Sequence, residues 1–194
     1  MAASNFSGRV ALGANRIGKT QEGAYECVLA ICNEHPARKF PSSGMGWIVG
    51  IDYKKILDPD LPMFNEFMPK HIKPENCQSK FYVKDMMWLI ETPNGEWKVF
   101  LKSSEASVDS FSASKLDWIW FDEEPKKNAI FNECMMRLID NRGVWWMTAT
   151  PILGTIWLKK LSEREDVYSC TGGMMMPRHG RLSARLLRRL LTTC

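Results

Sequence analysis

Short apolar runs alternate with amphipathic stretches along most of the chain. The runs are four to six residues long and rich in aromatic and β-branched residues, as is typical of buried strands; they lie at 9–13, 46–51, 118–121 and 144–149. Apolar residues three and four apart predict helices over 24–32, 130–139 and 156–161. This alternation predicts an α/β fold with a central, mainly parallel sheet flanked by helices.

A β-hairpin is predicted around residues 87–101. Asn94-Gly95 separates two β-prone runs there, and this dipeptide favours a tight two-residue turn. Residues 58–76 are interrupted by prolines and are predicted to form loops and short helical pieces. Four of the eight tryptophans fall in predicted central strands, where core packing is favoured over stacking on bases: Trp118, Trp120, Trp145 and Trp146.

Length and composition indicate a globular domain with its own core. The chain has 194 residues, of which 45% are hydrophobic, and a compact chain of this size buries roughly 70% of its unfolded surface. No apolar run approaches the roughly 20 residues that cross a bilayer, and a secretory signal pattern is absent from the first residues. Six isolated cysteines without zinc-like spacing favour a reducing compartment. We therefore expect a cytoplasmic protein without a membrane partner.

The net charge of +4 originates in the last 24 residues. Residues 171–194 contain five arginines and no acidic residue, which leaves 21 basic and 22 acidic side chains in residues 1–170. The main domain therefore has no excess positive charge that would itself indicate nucleic-acid binding. The Arg/Leu-rich tail is either a native helix that binds DNA or a membrane surface, or the product of an altered reading frame or degraded gene end, which its abrupt composition favours.

The most informative motif is GANRIGKT, which matches GxxxxGK[ST] between a predicted strand and a predicted helix. The two glycines allow a tight turn in which backbone N–H groups converge on phosphates, and the following helix N-terminus favours an anion. The lysine is expected to reach the β- and γ-phosphates, and the threonine to ligate Mg²⁺. The motif predicts ATP binding by Gly13, Ala14, Asn15, Arg16, Ile17, Gly18, Lys19 and Thr20.

Arg16 within this loop has two interpretations. Its guanidinium could contact the γ-phosphate and act in catalysis, as an arginine finger supplied by the same chain does. It could also be a solvated side chain that contributes only charge. Its position alone leaves both open.

An apolar strand ending in three acids, WIWFDEEP at 118–125, is the second chemical signal. Such a strand can deliver Asp122 to Mg²⁺, while Glu123 orients and deprotonates the attacking water. Glu124 is given no catalytic role. Acidic strand ends are often solvated turns, but together with the phosphate loop this one predicts an NTP hydrolase.

The next predicted strand runs into Thr148-Ala149-Thr150-Pro151. Small hydroxyl residues at the end of a central strand can hydrogen-bond toward the γ-phosphate or the attacking water. The motif alone could be a turn with a proline at its end. Its order after the acidic strand favours a sensor or coupling role for Thr148, Ala149 and Thr150.

These motifs, with SSEASVDSF at 103–111, resemble the large terminase subunit of tailed bacteriophages. The resemblance covers roughly residues 9–170. It implies a P-loop NTPase fold of the additional-strand type, with Gly13 to Thr20 as Walker A, Asp122 as the Walker B magnesium ligand and Glu123 as the catalytic carboxylate. Residues 148–150 would couple hydrolysis to movement.

The same resemblance implies an ATP-hydrolysing motor that drives dsDNA into a capsid in the host cytoplasm. It implies a homo-oligomeric ring at work, with the portal protein and the small terminase subunit as partners. Three departures qualify this. Val108 stands where many relatives carry an arginine. The glutamine-containing element that usually helps hold adenine is not found in the 12 residues before Gly13, and we expect no nuclease domain after residue 170.

Two other functions are considered. A helicase-like, nucleic-acid-dependent ATPase would suit the DE-containing strand end and the TATP motif, but it would need a second RecA-like domain that this chain is too short to hold. A catalytically incomplete remnant could bind nucleotide or assemble without turning over ATP. Turnover rather than binding distinguishes this remnant from the motor domain.

Overall fold

A computed structural model describes residues 6–14, 16–36, 38–68, 80–112, 114–151 and 156–172. Eight strands form one sheet: β1 (Gly8–Gly13), β2 (Gly44–Gly50), β3 (Lys80–Tyr82), β4 (Met87–Thr92), β5 (Gly95–Ser103), β6 (Trp118–Asp122), β7 (Val144–Ala149) and β8 (Val167–Gly172). The helices are α1 (Lys19–Ile31), α2 (Tyr53–Lys55), α3 (Leu61–Phe67), α4 (Asn128–Leu138) and α5 (Ile156–Ser162). A distorted helical turn, Ile56–Asp60, joins α2 to α3, and a 3₁₀ turn spans Val108–Phe111.

The strand order is β3-β4-β5-β2-β6-β7-β1-β8. Six neighbouring strands of the sheet, β5-β2-β6-β7-β1-β8, pair in parallel. At one edge, β4 pairs antiparallel with β5, and β3 pairs antiparallel with β4. β7 is inserted between β1, which leads into the phosphate loop, and β6, which ends in the acids. This insertion is the arrangement expected of the additional-strand type.

Successive side chains of a strand point to opposite faces of the sheet, so the apolar strands form a hydrophobic core on each face. In β6, Trp118 and Trp120 pack on the face that α1 and α3 cover, and Ile119 and Phe121 pack on the face that α4 covers. The prediction that four strand tryptophans belong to the core is confirmed, since all are at most 3% exposed: Trp118, Trp120, Trp145 and Trp146. The sheet is therefore buried on both sides, as parallel sheets usually are.

The predicted α/β fold and the hairpin are confirmed, although the two-residue turn is Pro93-Asn94 and Gly95 is the first residue of β5. The sequence pattern did not predict the short edge strand β3 or the final strand β8. β8 ends at Gly172, so the sheet includes the first two residues of the predicted tail, 171–194. Residues 69–76 of the Pro-interrupted segment, and the Arg/Leu-rich tail beyond Gly172, lie outside the described residues.

The described cysteines divide by burial. Cys27 and Cys134 are buried, as expected of small hydrophobic residues, whereas Cys170 on β8 is exposed. None of the helices in the described part of the chain combines the length and the apolar character of a transmembrane span.

Candidate nucleotide-binding site

The phosphate loop connects the end of β1 to the start of α1. Gly18 has φ +93° and Arg16 has φ +66°, so the loop turns through the left-handed region that glycine adopts without strain. The Lys19 ammonium donates a hydrogen bond to the Ala14 carbonyl at 2.9 Å, across the loop. Among the described residues no side chain caps the first turn of α1, so its N–H groups and the helix dipole can interact with an anion.

Thr20 brings the loop into contact with the acidic end of β6. Its hydroxyl donates to the Asp122 carboxylate, with distances of 3.3 and 3.5 Å to the two oxygens, although the residues are 102 positions apart. The two sequence motifs therefore form one site. A hydroxyl and a carboxylate at this separation are oxygen ligands suited to a divalent cation.

Thr148 holds Asp122 through a second hydroxyl. The buried Thr148 hydroxyl lies 2.7 Å from an Asp122 oxygen and accepts a hydrogen bond from the Trp120 indole N–H at 2.9 Å. Burial raises the pKa of Asp122, and the hydrogen bond from Thr148 opposes that rise. The sequence predicted a role for Thr148 toward phosphate or water, and in the structure its hydroxyl is directed to the Asp122 carboxylate.

Glu123 is held by the last residue of the predicted coupling motif. Its carboxylate accepts hydrogen bonds from the Thr150 backbone N–H at 2.8 Å and from the Thr150 hydroxyl at 2.9 Å. Glu123 has φ +75°, and its own N–H donates to the Thr148 carbonyl at 2.8 Å. Glu123 therefore combines a left-handed backbone conformation, which is unusual for glutamate, with a side chain that contacts the residue after β7.

A further carboxylate, Asp60, joins the site without having been predicted. Asp60 is 1% exposed, and neither of its oxygens accepts a hydrogen bond from a donor in the described part of the chain. Burial, followed by the charge of Asp122, raises the pKa of Asp60 well above its ordinary value. The sequence offered no signal for it, because Asp60 lies in a Pro-interrupted segment whose folding over the sheet has no local pattern.

The structure brings most of the predicted site residues to the carboxyl ends of β1, β6 and β7. Gly13, Ala14, Gly18, Lys19 and Thr20 border the loop, and Ile17 and Arg16 are exposed on it. Ala149 is buried at the end of β7. Asn15 lies outside the described residues.

Val108 lies in the 3₁₀ turn that follows β5. It is partly buried and packs against the core cluster on the α4 face of the sheet. This segment therefore presents an apolar side chain inward at the position where the resemblance led us to look for an arginine.

The fold and the geometry of the loop define the chain as an α/β protein of the P-loop, additional-strand type. A family model described as terminase large subunit, T4likevirus-type, N-terminal, matches residues 10–161. The chain belongs to this family. No curated protein matches the chain.

Solved structures of large terminases share the fold. The large terminase of a thermophilic bacteriophage superposes with a TM-score of 0.70 and 15% identity, over 96% of this chain and 46% of that one. The same thermophilic phage enzyme in complex with ADP gives 0.67 and 17%, over 96% and 45%. The HK97 bacteriophage large terminase gives 0.60 and 10%, over 89% and 36%. The chain thus spans slightly less than half the length of the thermophilic phage protein.

Proposed function

We propose that this chain is the Mg²⁺-dependent, ATP-hydrolysing motor domain of a terminase large subunit that drives dsDNA into a phage capsid. The observation that carries the proposal is the contact between Thr20 of the phosphate loop and Asp122 at the end of β6. Hydrolysis of a nucleoside triphosphate needs a phosphate cradle and a metal-binding acid in one place. Membership in the large-terminase family supports the packaging role.

ATP is the proposed substrate of the loop. The N–H groups of residues 13–20 and the start of α1 would receive the phosphates. Lys19 would exchange its hydrogen bond to the Ala14 carbonyl for phosphate oxygens, which bear the compensating charge. The thermophilic phage large terminase, which shares this fold, has been solved with ADP and with ATP-γ-S, and these complexes support a nucleotide as the ligand here.

Thr20 and Asp122 are the proposed residues for Mg²⁺. Their oxygen donors suit this hard cation, and no group of three or more acidic, His or Cys side chains forms a metal site by itself among the described residues. The cation would therefore be shared between these two side chains, water and the nucleotide. When bound, Mg²⁺ neutralises charge on the phosphate oxygens.

Glu123 is the proposed catalytic carboxylate. It would accept a proton from the water that attacks the γ-phosphate, in line with the departing ADP. The two hydrogen bonds from Thr150 set the direction of this carboxylate before nucleotide arrives. Residues 148–150 would sense the γ-phosphate through that contact, and the exposed Arg16 would stabilise charge on the same phosphate.

The proposed partners follow from the family. The motor would act on dsDNA as a ring of subunits at the portal protein, with the small terminase subunit as the recognition partner. These assignments are proposed for a complete large subunit. The match to this chain covers 46% of the thermophilic phage large terminase.

The proposal is tested by measuring nucleotide binding and ATP hydrolysis of the purified chain, with and without Mg²⁺ and dsDNA. We expect Mg²⁺-dependent turnover that rises with dsDNA and is lost in Lys19→Ala. Lys39→Ala, which changes an exposed lysine outside the loop, should behave as the wild type. Nucleotide binding without turnover would favour the catalytically incomplete remnant, and binding that Lys19→Ala leaves unchanged would contradict the site itself.

A further inference from the structure

A buried carboxylate without a hydrogen-bond donor lies beside the proposed metal site. Asp60 ends the distorted turn that folds over the carboxyl end of β2, the strand next to β6. Both of its oxygens are inaccessible, and neither receives a hydrogen bond from the described residues. Ionisation of a carboxyl group buried in this way is unfavourable unless a positive charge and hydrogen-bond donors compensate it.

The surroundings of Asp60 are themselves acidic. The carboxyl of Asp122 interacts with Asp60, and the charge of Glu123 also reaches it. Lys55 is the basic residue whose charge opposes them, and its side chain is exposed on α2. Carboxyl groups are therefore concentrated where Asp60 and Asp122 meet, and the charged forms of both are disfavoured as long as no cation lies between them.

The backbone is shaped to bring Asp60 to this position. A Cβ atom at Gly50 would lie 2.5 Å from Ile56 Cγ1 and 3.6 Å from an Asp60 oxygen. Only glycine at the end of β2 lets the turn approach so closely. Ile56 is fully buried in the core cluster that includes residues of α1 and α3. Asp60 is thus held in place by the packing of its turn against β2.

We infer that Asp60 is a third residue of the metal site, which positions Mg²⁺ beside Asp122 by accepting hydrogen bonds from metal-bound water. This inference rests on the proposed function. A cation beside Asp122 supplies the positive charge that the two carboxylates lack, and bound water supplies the donors that Asp60 lacks. Acidic partners outside the direct ligand shell commonly orient and strengthen metal sites.

The test compares Asp60→Asn with the wild-type chain in binding a fluorescent ADP analogue, first in EDTA and then in saturating Mg²⁺. We expect Asp60→Asn to bind the analogue in EDTA as the wild type does, and to lose about tenfold or more of the gain in affinity that Mg²⁺ gives. Asp58→Asn, which makes the same change at an exposed position two residues away, should keep the full gain.

The unfolding midpoint in EDTA completes the test. We expect Asp60→Asn to unfold no earlier than the wild type, because asparagine keeps the shape of the side chain and removes a buried acid that lies beside Asp122. Asp60→Ser serves as a second neutral variant if the Asn chain does not fold. If the unfolding midpoint of Asp60→Asn changes while Mg²⁺ still raises its affinity for the ADP analogue as in the wild type, Asp60 has a structural role and the inference is overturned.

Failure of the inference and failure of the proposed function give different patterns. If the Mg²⁺ gain is lost in Asp122→Asn but kept in Asp60→Asn, only the role of Asp60 is wrong. If the wild-type chain binds no nucleotide in either condition, the proposed function is wrong and the inference falls with it.

Discussion

Thr150 holds Glu123 by two hydrogen bonds, one from its backbone N–H at 2.8 Å and one from its hydroxyl at 2.9 Å. The two residues follow the ends of neighbouring strands of the sheet, β7 and β6. A movement at the end of β7 would therefore change the direction of the Glu123 carboxylate, and a movement of Glu123 would be passed to the end of β7. This contact gives the proposed coupling motif a physical means of linking catalysis to movement.

Replacement of Thr150 by valine should slow ATP turnover with little effect on nucleotide binding. The variant keeps the backbone hydrogen bond but loses the hydroxyl that fixes the second carboxylate oxygen, and a misdirected catalytic group costs about tenfold or more in rate. Thr150→Ser keeps a hydroxyl and should retain most of the activity. Equal turnover in the valine and serine variants, measured at saturating ATP, would show that the hydroxyl does not position Glu123.

Replacement of Thr148 by valine should destabilise the fold. The change keeps the shape of the side chain but leaves the buried Trp120 indole N–H without its acceptor and Asp122 without its shortest hydrogen bond. Leaving a buried polar group unsatisfied costs about 1–3 kcal/mol. Urea unfolding measures this loss, and Thr148→Ser is the control that should restore most of it. A valine variant as stable as the wild type would contradict the assigned hydrogen bonds.

Alanine at Gly50 should disturb both stability and the metal site. Its methyl group would overlap Ile56 Cγ1, at 2.5 Å, and overpacking of this kind costs about 1–3 kcal/mol. The turn that carries Asp60 would move away from β2, so the Mg²⁺-dependent gain in nucleotide affinity should fall as well. Unfolding and nucleotide titrations measure the two effects, and an unchanged unfolding midpoint would contradict the close approach.

The contact between the first and last strands should weaken in acid. Hydrogen bonds from Arg164 lower the pKa of Asp166, and Ser7 before β1 donates to the same carboxylate at 2.6 Å. Because the pKa is lower in the folded state, this stabilisation is present above the unfolded value of about 3.9 and is lost as pH falls through the folded value. The unfolding midpoints of the wild type and Asp166→Asn should converge below about pH 4. Glu165→Gln is the neighbouring control, and a gap that stays constant with pH would contradict this account.

The sequence predicted the elements whose patterns are local. The apolar runs indicated β1, β2, β6 and β7 because strands buried on both faces need continuous hydrophobic residues. The Asn94-Gly95 dipeptide indicated the hairpin of β4 and β5, whose turn residues are Pro93 and Asn94. The motifs GxxxxGK[ST] and the acidic strand end allowed three site residues to be predicted from the sequence: Thr20, Asp122 and Glu123. The family model matches residues 10–161, which include all three.

Features set by tertiary packing could not be predicted in the same way. β3 has three residues and lies at the sheet edge, and β8 mixes Val167 with polar residues, so neither has a clear periodicity. Asp60 acquires its environment only when its turn packs over Gly50. The Thr150 contact with Glu123 likewise depends on how the ends of β6 and β7 are aligned, and this alignment cannot be deduced from the spacing of residues along the chain.

The central claim is that Glu123 activates water in a site that binds ATP through Lys19. The most direct test is single-turnover hydrolysis of ATP by the wild type, Glu123→Gln and Glu124→Gln, with nucleotide affinity measured on the same samples. The account predicts that Glu123→Gln binds ATP as the wild type does and hydrolyses it about 10²- to 10⁴-fold more slowly, while Glu124→Gln stays close to the wild type. Hydrolysis by Glu123→Gln at the wild-type rate would contradict it.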